Sequence, residues 1–339
     1  MRAWLLHDTS GPSGFSLEEI ETPEPGPGDV RVRLRVSALN HLDLWVSLGM
    51  PKPHSYPHVA GGDGAGVVDA VGPGVDTVTV GDEVIINPSV SCGHCAACLR
   101  GEIVFCPDYS ILGEHENGTL AEHVVVPAAN AVLKPSGLDW DTAGSFGLAT
   151  GTAFRMLRRA RLRAGETLLV VGVGGGVSSA ALQLGVAMGA RVYATSRDQH
   201  KLAWAESEGA LGGFASDGEF SKDLKASGAP ADVVVENVGP ATWNQSIRSL
   251  APGGRVVVCG STSGPKVELS MPVLFFKQLE IIGSSMFTHA EFGEALALVA
   301  SGAIDPPVDE VFPFEDLPRA LDRLEQGRQL GKIALQHGS

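Results

Sequence analysis

Four of the five cysteines of this chain lie in one short segment, at Cys92, Cys95, Cys98 and Cys106. Thiolates at such short spacing let one loop wrap around a soft metal ion, and four of them complete a tetrahedron without an open position for substrate. The spacing therefore predicts a structural zinc ion that does no chemistry. Two disulfides or an iron–sulfur cluster are the alternatives, although the final gap of seven residues exceeds the ferredoxin spacing.

A glycine-rich turn is the second feature that could take part in binding or chemistry. It follows an apolar segment and opens a helical one, and it consists of Gly172, Gly174, Gly175, Gly176, Val177 and Ser178. Backbone N–H groups in such a turn, with the positive end of the helix dipole, bind the pyrophosphate of a dinucleotide. The third glycine of the usual pattern is missing and falls on Val177 or Ser178. The context still predicts dinucleotide binding, with a ligand-free strand-to-helix turn as the alternative.

The end of the next strand distinguishes the two nicotinamide dinucleotides. NAD enzymes place an acid there for the ribose 2′-hydroxyl, whereas NADP enzymes supply cations for the 2′-phosphate. Here Ser196 stands in that position, followed by Arg197 and, one helical turn later, by Lys201. This set favours NADP(H) over NAD(H), with a solvated charge as the alternative role for Arg197. Asp198 is predicted to cap the following helix.

The elements that must position these groups change in character near residue 150. Before it, short alternating segments such as 30–36 predict half-buried strands joined by glycine and proline turns. After it, apolar strands alternate with helices, at 167–171, 191–195, 232–236 and 254–260. Uninterrupted apolar strands in such alternation predict a doubly wound parallel sheet, and hence an α/β fold class.

Length and charge limit the possible partners. A chain of 339 residues is long enough for about two domains. The net charge of −14 makes nucleic acid and anionic membranes poor partners. The N-terminus lacks the pattern of a signal peptide, and no apolar run reaches the length of a membrane span. With its cysteines on a metal, the protein is expected in the reducing cytoplasm.

Taken together, these motifs resemble the medium-chain dehydrogenase/reductase superfamily, which contains zinc-type alcohol dehydrogenases and quinone oxidoreductases. Further matching landmarks, in family order, are the segments 24–27, 38–45, 61–68, 80–84, 149–153 and 281–284. The resemblance covers essentially the whole chain. It implies a GroES-like catalytic domain at 1–130, with the cysteine lobe at about 90–108, completed by 287–339. It also implies a Rossmann nucleotide-binding domain at 131–286 and a homodimer or homotetramer.

The resemblance further implies a catalytic zinc, and here the sequence departs from the family. The first ligand position holds Asn40, and the His-Glu pair of the family reads Gly62-Asp63. The third position carries Phe146 or Leu148. We therefore expect the structural zinc to be kept and the catalytic zinc to be lost. Without that Lewis acid, reduction of an activated C=C bond or a quinone is easier than alcohol–aldehyde interconversion, because hydrogen-bond donors can stabilise charge on a conjugated oxygen.

The candidate catalytic residues are Asn40 and Asp63. Asn40 is expected to hydrogen-bond to substrate or cofactor, with a turn asparagine as the alternative. Asp63 is either a general acid/base or a buried acid with satisfied hydrogen bonds. By resemblance, the cofactor is also contacted by His41, Thr150, Gly260 and Ser261. The sequence does not identify a proton donor.

The leading prediction is an NADPH-dependent reductase of enals, enones or quinones, acting on a small molecule. The first alternative is an NAD(P)-dependent alcohol or aldehyde dehydrogenase in which another group replaces the zinc. The second is a nucleotide-binding protein of the same fold with little turnover.

Overall fold

The computed structural model describes residues 1–228 and 230–338 of the chain. The strands are β1 (Arg2–Leu6), β2 (Phe15–Glu19), β3 (Asp29–Leu39), β4 (Asp63–Val71), β5 (Glu83–Ile86), β6 (Ser89–Val90), β7 (Ser110–Ile111), β8 (His123–Pro127), β9 (Ala131–Leu133), β10 (Thr167–Val170), β11 (Arg191–Ser196), β12 (Gly213–Ala215), β13 (Ala231–Glu236), β14 (Leu250–Val258), β15 (Glu280–Gly283), β16 (Val308–Pro313) and β17 (Lys332–Gln336).

The helices are α1 (His41–Ser47), α2 (Ala96–Leu99), α3 (Trp140–Ala143), α4 (Gly147–Arg159), α5 (Gly176–Ala187), α6 (Gln199–Ser207), α7 (Phe220–Ala226), α8 (Trp243–Ser249), α9 (Met271–Phe276), α10 (His289–Ala300) and α11 (Leu317–Glu325). Short 3-10 helices lie at Gly11–Gly14, Ile103–Phe105, Ala128–Asn130 and Phe314–Asp316. Within the described residues, no helix combines the length and apolar character needed to cross a bilayer.

The chain divides into two compact units. Unit 1 consists of Met1–Ala149, Phe287–Ala300 and Pro307–Ser339, and unit 2 consists of Thr150–Met286 and Ser301–Pro306. The first boundary lies at 149/150, whereas the sequence places it at 130/131. The reason is that β9 pairs with β5 and so continues the sheet of unit 1.

Unit 1 contains a seven-stranded sheet in the order β16-β17-β3-β4-β5-β9, with β8 paired to β3. The alternation predicted for 30–36 is present in β3, because Val30, Val32, Leu34 and Val36 are buried while the arginines between them are more exposed. The last strand of the chain, β17, pairs antiparallel with β3 and sets Ile333 opposite Leu39. This pairing brings the C-terminal strand to the segment that contains Asn40.

Unit 2 is a six-stranded parallel sheet in the order β12-β11-β10-β13-β14-β15. This is the doubly wound order in which nucleotides bind outside the carboxyl ends of the strands, and it confirms the predicted fold class. All four residues of β10 are buried, as expected for a central parallel strand. β14 ends at Val258, so Cys259 and Gly260 follow the strand, whereas the sequence places them inside it.

Several short elements are absent from the sequence-based description. α11 is the clearest, since its Leu317, Ala320, Leu321 and Leu324 are buried at helical spacing. Its opening Leu317-Pro318 pair reads locally as a turn, although proline is compatible with the first turn of a helix. α7 and α8 are also not predicted from a pattern of their own; only the length of chain between the neighbouring strands leaves room for them.

Candidate active site

The four predicted metal ligands converge in unit 1. The Sγ atoms of Cys92, Cys95, Cys98 and Cys106 all lie within 4.8 Å of one another. The Sγ–Sγ distances are 3.5 Å for Cys106–Cys92, 3.6 Å for Cys95–Cys98 and 3.9 Å for Cys92–Cys98. A tetrahedron of thiolates about 2.3 Å from a zinc ion has edges of about 3.8 Å. The cluster therefore fits a four-thiolate zinc ion, and the thiols are unpaired rather than bridged.

The glycine turn has the backbone geometry that a close phosphate approach requires. Gly172 and Gly174 adopt φ values of 73° and 123°, which side chains disfavour. α5 begins at Gly176, so the free N–H groups of its first turn lie at this turn. The side chain of Ser178 differs from its predicted role in cofactor binding. Its hydroxyl donates to the carbonyls of Gly172 and Gly175 and so stabilises the turn itself. Val177 lies beside it at the start of the helix.

Close packing of the helix under this turn depends on a further glycine, Gly185, which lies outside the predicted turn. A Cβ atom on Gly185 would collide with the side chain of Leu168 in β10. The helix that presents its N-terminus to the turn therefore approaches the central strand closely at Gly185. Gly185 could be recognised in the sequence by its position, one helix length after the turn and opposite an apolar strand.

The predicted 2′-phosphate residues lie at the carboxyl end of β11. Arg197 is exposed, and Asp198 caps α6 by accepting from the backbone N–H of His200, as predicted. The Ser196 hydroxyl accepts from the Asp198 backbone N–H at 3.1 Å. A Cβ atom on Gly174 would lie 3.1 Å from the Lys201 Nζ atom, so this ammonium group lies over the glycine turn. Lys201 is thus next to the glycine turn and Arg197 is exposed, while contact of these two side chains with the phosphates of a cofactor stays a prediction.

The loops after β13 and β14 are tied together at the same edge of the sheet. The buried Glu236 carboxylate accepts from the N–H groups of Val238 and Gly239 and from the hydroxyls of Thr242 and Ser246. Glu236 is not among the residues predicted from the sequence, although an acidic residue at the end of an apolar strand can be recognised there. The loop after β14, at 259–264, is bonded to the first loop through Ser263 N–H and the Val238 carbonyl.

The remaining predicted cofactor residues lie in both units. In unit 2, Gly260 and Ser261 follow β14 at the carboxyl edge, and Thr150 is buried in α4. Within the described residues, the Thr150 hydroxyl has no hydrogen-bond partner, which fits a contact with a bound molecule. In unit 1, His41 opens α1 beside Trp45, and burial lowers the pKa of His41. Contact of His41 with the cofactor phosphates stays a prediction.

Asn40 and Asp63, the two predicted catalytic residues, contact each other in unit 1. The Asn40 amide Nδ2 donates to Asp63 Oδ2 at 3.0 Å. A third residue, Lys332 at the start of β17, donates from Nζ to Asp63 Oδ2 at 2.9 Å and to Asn40 Oδ1 at 2.5 Å. The other Asp63 oxygen accepts from the Leu148 backbone N–H at 2.7 Å. Asp63 is therefore a buried acid with satisfied hydrogen bonds, the second of its two predicted roles.

Lys332 is the main residue that sequence reasoning missed. It is 4% exposed in its side chain, and Asp63 is 1% exposed, so the ion pair is buried. The available signal was a lysine directly before the apolar strand segment 333–335. Its partners lie far away in sequence, and only the pairing of β17 with β3 identifies them.

This set of side chains does not fit a catalytic zinc ion. At the three ligand positions the chain offers the Asn40 amide, no side chain at Gly62, and the apolar Leu148, whose Cδ1 atom lies 3.1 Å from the place of a Cβ on Gly62. Phe146, the other candidate, packs in the core against Phe292. The one carboxylate is already paired with an ammonium group. Within the described part of the chain, three or more metal-ligating side chains converge only at the cysteine cluster.

Asp43 supports the site from α1. Its carboxylate accepts from the backbone N–H of Asn40 at 2.7 Å and from that of Gly61 at 3.0 Å. Asp43 thereby links the helix N-terminus to the segment that leads into Asp63. Burial raises the pKa of Asp43 to about 6, although both N–H groups and Lys332 favour the ionised form.

This shift predicts an inverted pH dependence for the contribution of Asp43 to stability. Below pH 6 the folded protein takes up a proton at Asp43 that the unfolded chain, with its ordinary value of 3.8, does not yet bind. The contribution should therefore grow by about 2 kcal/mol from pH 7 to pH 4.5. Urea unfolding of the native protein and Asp43→Asn at both values measures it. A stability difference between them that stays constant with pH would contradict the prediction.

The fold and site define a two-domain, dinucleotide-dependent oxidoreductase, and comparisons place the chain in a family. Residues 26–136 match the alcohol dehydrogenase GroES-like domain, and residues 176–301 match the zinc-binding dehydrogenase family. Acryloyl-coenzyme A reductase of Metallosphaera sedula is 32% identical over 95% of this chain and 96% of its own length. The chain belongs to the medium-chain dehydrogenase/reductase superfamily and is an NAD(P)-dependent enzyme of that class.

Two solved structures are similar over nearly the whole chain. An NAD-dependent alcohol dehydrogenase is 41% identical with a TM-score of 0.96 and full coverage of both chains. A crotonyl-CoA carboxylase/reductase in complex with NADP is 26% identical with a TM-score of 0.92, and covers 99% of this chain and 94% of its own. The family predicted from the sequence motifs is confirmed.

Proposed function

We propose that this enzyme uses NADPH to reduce activated C=C bonds of enals, enones or quinones, without a catalytic zinc ion. The observation that carries the proposal is the cluster of Asn40, Asp63 and Lys332, in which Asn40 stands at the first ligand position and bonds to the other two. It offers an amide donor and a paired carboxylate where a zinc site needs free thiolates, imidazole or carboxylate. The similarity to an acryloyl-coenzyme A reductase supports the same reaction class.

In the proposed reaction, NADPH bound at the glycine turn would supply a hydride to the carbon β to the substrate carbonyl. As that C–H bond forms, the C=C electron pair moves toward the carbonyl and negative charge collects on oxygen. The role of Asn40 is to donate an amide hydrogen bond to this oxygen. A proton from water then adds to the α-carbon and completes the saturated product, while the cofactor leaves oxidised. We assign Asp63 no proton-transfer role, because its oxygens accept hydrogen bonds from Lys332, Asn40 and the Leu148 N–H.

The test uses trans-2-hexenal, which offers both a C=C and a C=O bond to the same hydride. With NADPH and excess enzyme, mass spectrometry is expected to identify hexanal as the product. Hexanal itself is the control substrate, because it offers only the carbonyl and is expected to leave NADPH unoxidised. Hexenol as the main product would refute conjugate reduction.

That second outcome would favour an alcohol dehydrogenase, the alternative supported by the 41% identity to a structure of that name. The electrophile that replaces zinc would then have to lie elsewhere. Binding of NADPH without turnover of hexenal, quinones or alcohols would instead favour a nucleotide-binding protein with little activity.

We propose NADPH as the preferred cofactor, with one structural zinc ion on the cysteine cluster. Arg197→Ala is expected to lower kcat/KM with NADPH by about 10- to 100-fold, the value of one lost charge-assisted hydrogen bond, and to leave kcat/KM with NADH nearly unchanged. Arg191→Ala is a matched control, since Arg191 is an exposed arginine at the opposite end of β11. Equal losses with both cofactors would contradict the assignment of Arg197 to the 2′-phosphate.

We also propose that the chain self-associates through the edge of the sheet of unit 2. β15 is an edge strand, and next to it in sequence α9 has no buried residue. Phe276 is 80% exposed, and Phe275, Met271 and Ile281 are also exposed. Exposed apolar side chains next to an edge strand are typical of an interface. Phe276→Glu with Ile281→Lys is expected to convert an oligomer to a monomer in analytical ultracentrifugation, whereas a native protein that sediments as a monomer contradicts the proposal.

A further inference from the structure

Three side chains from three distant segments form a continuous hydrogen-bonded chain in unit 1. Asn40 follows β3, Asp63 opens β4, and Lys332 opens β17. Lys332 Nζ has three acceptors, the Leu39 carbonyl at 2.7 Å, Asn40 Oδ1 at 2.5 Å and Asp63 Oδ2 at 2.9 Å. Three acceptors account for the three hydrogens of the ammonium group. The lysine is therefore fixed, and it contacts both predicted catalytic residues.

This arrangement determines the orientation of the Asn40 amide. The oxygen of the amide faces the Lys332 ammonium group, and its nitrogen faces the Asp63 carboxylate. A flipped amide would set its NH₂ group against the ammonium and its oxygen against the carboxylate, and would lose two charge-assisted hydrogen bonds. The Asn40 side chain therefore has one stable orientation.

The same arrangement leaves one donor unused. Asn40 Nδ2 carries two hydrogens, and one of them is bonded to Asp63. Among residues 1–228 and 230–338, no acceptor takes the second. Asn40 is 8% exposed, so the residue is not fully closed off from solvent. A cation on the amide oxygen also draws electron density from the nitrogen and makes the N–H group a stronger donor.

We infer that Lys332 is a positioning residue for the reaction, which orients and polarises Asn40 so that its second N–H binds the substrate oxygen. The inference rests on the proposed function, in which negative charge develops on that oxygen. Asp63 accepts a hydrogen bond from the amide nitrogen of Asn40 and so helps to orient it. The Asp63 carboxylate is itself positioned by the hydrogen bond that it accepts from the Leu148 N–H. Lys332 does not touch the substrate, so its effect on the rate passes through Asn40.

A double-mutant cycle tests this dependence. Lys332→Met and Asn40→Leu are each expected to lower kcat for hexenal reduction by about 10-fold or more, with the dissociation constant for NADPH changed less than about twofold. The double variant is expected to lose no more than Asn40→Leu alone, because Lys332 acts through Asn40. Lys332→Arg, which keeps the cation, is expected to retain more of kcat than Lys332→Met. Losses that multiply in the double variant would overturn the inference.

Lys134→Met is the matched control for removing a buried cation. Lys134 also lies in unit 1, its side chain is 6% exposed, and it is paired with Glu83 at 2.9 Å. It has no contact with Asn40 in the described structure. We expect Lys134→Met to keep kcat within about twofold of the native value. If Lys332→Met does not fold, Asp63→Asn replaces it in the cycle, with the same expected non-additivity.

A spectroscopic measurement tests the hydrogen bond from Asn40 to a bound carbonyl, whichever product the enzyme forms. The absorption of 4-(dimethylamino)cinnamaldehyde moves to longer wavelength when its carbonyl accepts a hydrogen bond. Bound to the native enzyme with NADP⁺, it is expected to show this shift, which Asn40→Leu should abolish and Lys332→Met should reduce. The shift persists even if hexenal gives hexenol or no product, so failure of the proposed function is distinguishable. An unshifted spectrum with the native enzyme would overturn the inference.

Discussion

The native protein is expected to contain one zinc ion per chain, and replacing Cys106 by serine is expected to reduce this content to almost none. The four sulfurs are close enough to share one tetrahedral ion, and a neutral hydroxyl cannot replace a thiolate ligand at neutral pH. In zinc-finger peptides at neutral pH, structural zinc has an apparent binding free energy of about 10–16 kcal/mol, and such binding energy becomes folding energy for the segment around the ion. The lobe from β6 to β7 should therefore lose most of its hydrogen-exchange protection. Plasma mass spectrometry and hydrogen exchange measure the two effects.

Cys259→Ser is the internal control, because Cys259 lies in unit 2 outside the cluster and should leave zinc content unchanged. Iron and the visible absorption of a cluster in the native protein would contradict the assignment to zinc. Two zinc ions per chain, with one surviving in Cys106→Ser, would show that the Asn40 site binds metal after all.

The second large effect is expected from Lys332→Met, which should lower the free energy of unfolding by about 3–5 kcal/mol. Asp63 is 1% exposed, and removal of its ammonium partner leaves a buried carboxylate without a counter-charge. Adding Asp63→Asn to this variant removes the uncompensated charge and should recover part of the loss. Equilibrium urea unfolding of the single and double variants measures both steps.

Lys134→Met serves as the control here as well. Its partner Glu83 is 52% exposed and regains water when the lysine is lost, so the expected decrease is below about 1 kcal/mol. If Lys134→Met and Lys332→Met are equally destabilised, burial of the Asp63 carboxylate is not the cause.

Much of the fold follows from local sequence patterns. The alternation at 30–36 predicts β3 closely, because a strand buried on one face alternates apolar and polar residues. The apolar segment at 167–171 predicts β10 closely, because a strand buried on both faces is apolar throughout. The cap at Asp198 is equally local, since a capping side chain bonds to the backbone two residues away. Elements such as α11 are harder, because the packing of its apolar face, rather than its opening Leu317-Pro318 pair, decides that it is a helix.

Features that depend only on neighbouring residues can be predicted from the sequence. Cys92, Cys95, Cys98 and Cys106 are near enough along the chain for one loop to bring them together, and the glycine turn needs only its own backbone freedom. The absence of a usual ligand at Asn40 was also visible. What replaces that ligand was decided by tertiary structure alone. Lys332 lies 292 residues from Asn40 and 269 from Asp63, and their contact depends on how β17 pairs with β3. A shift of one residue in that register would turn the Lys332 side chain to the other face of the sheet.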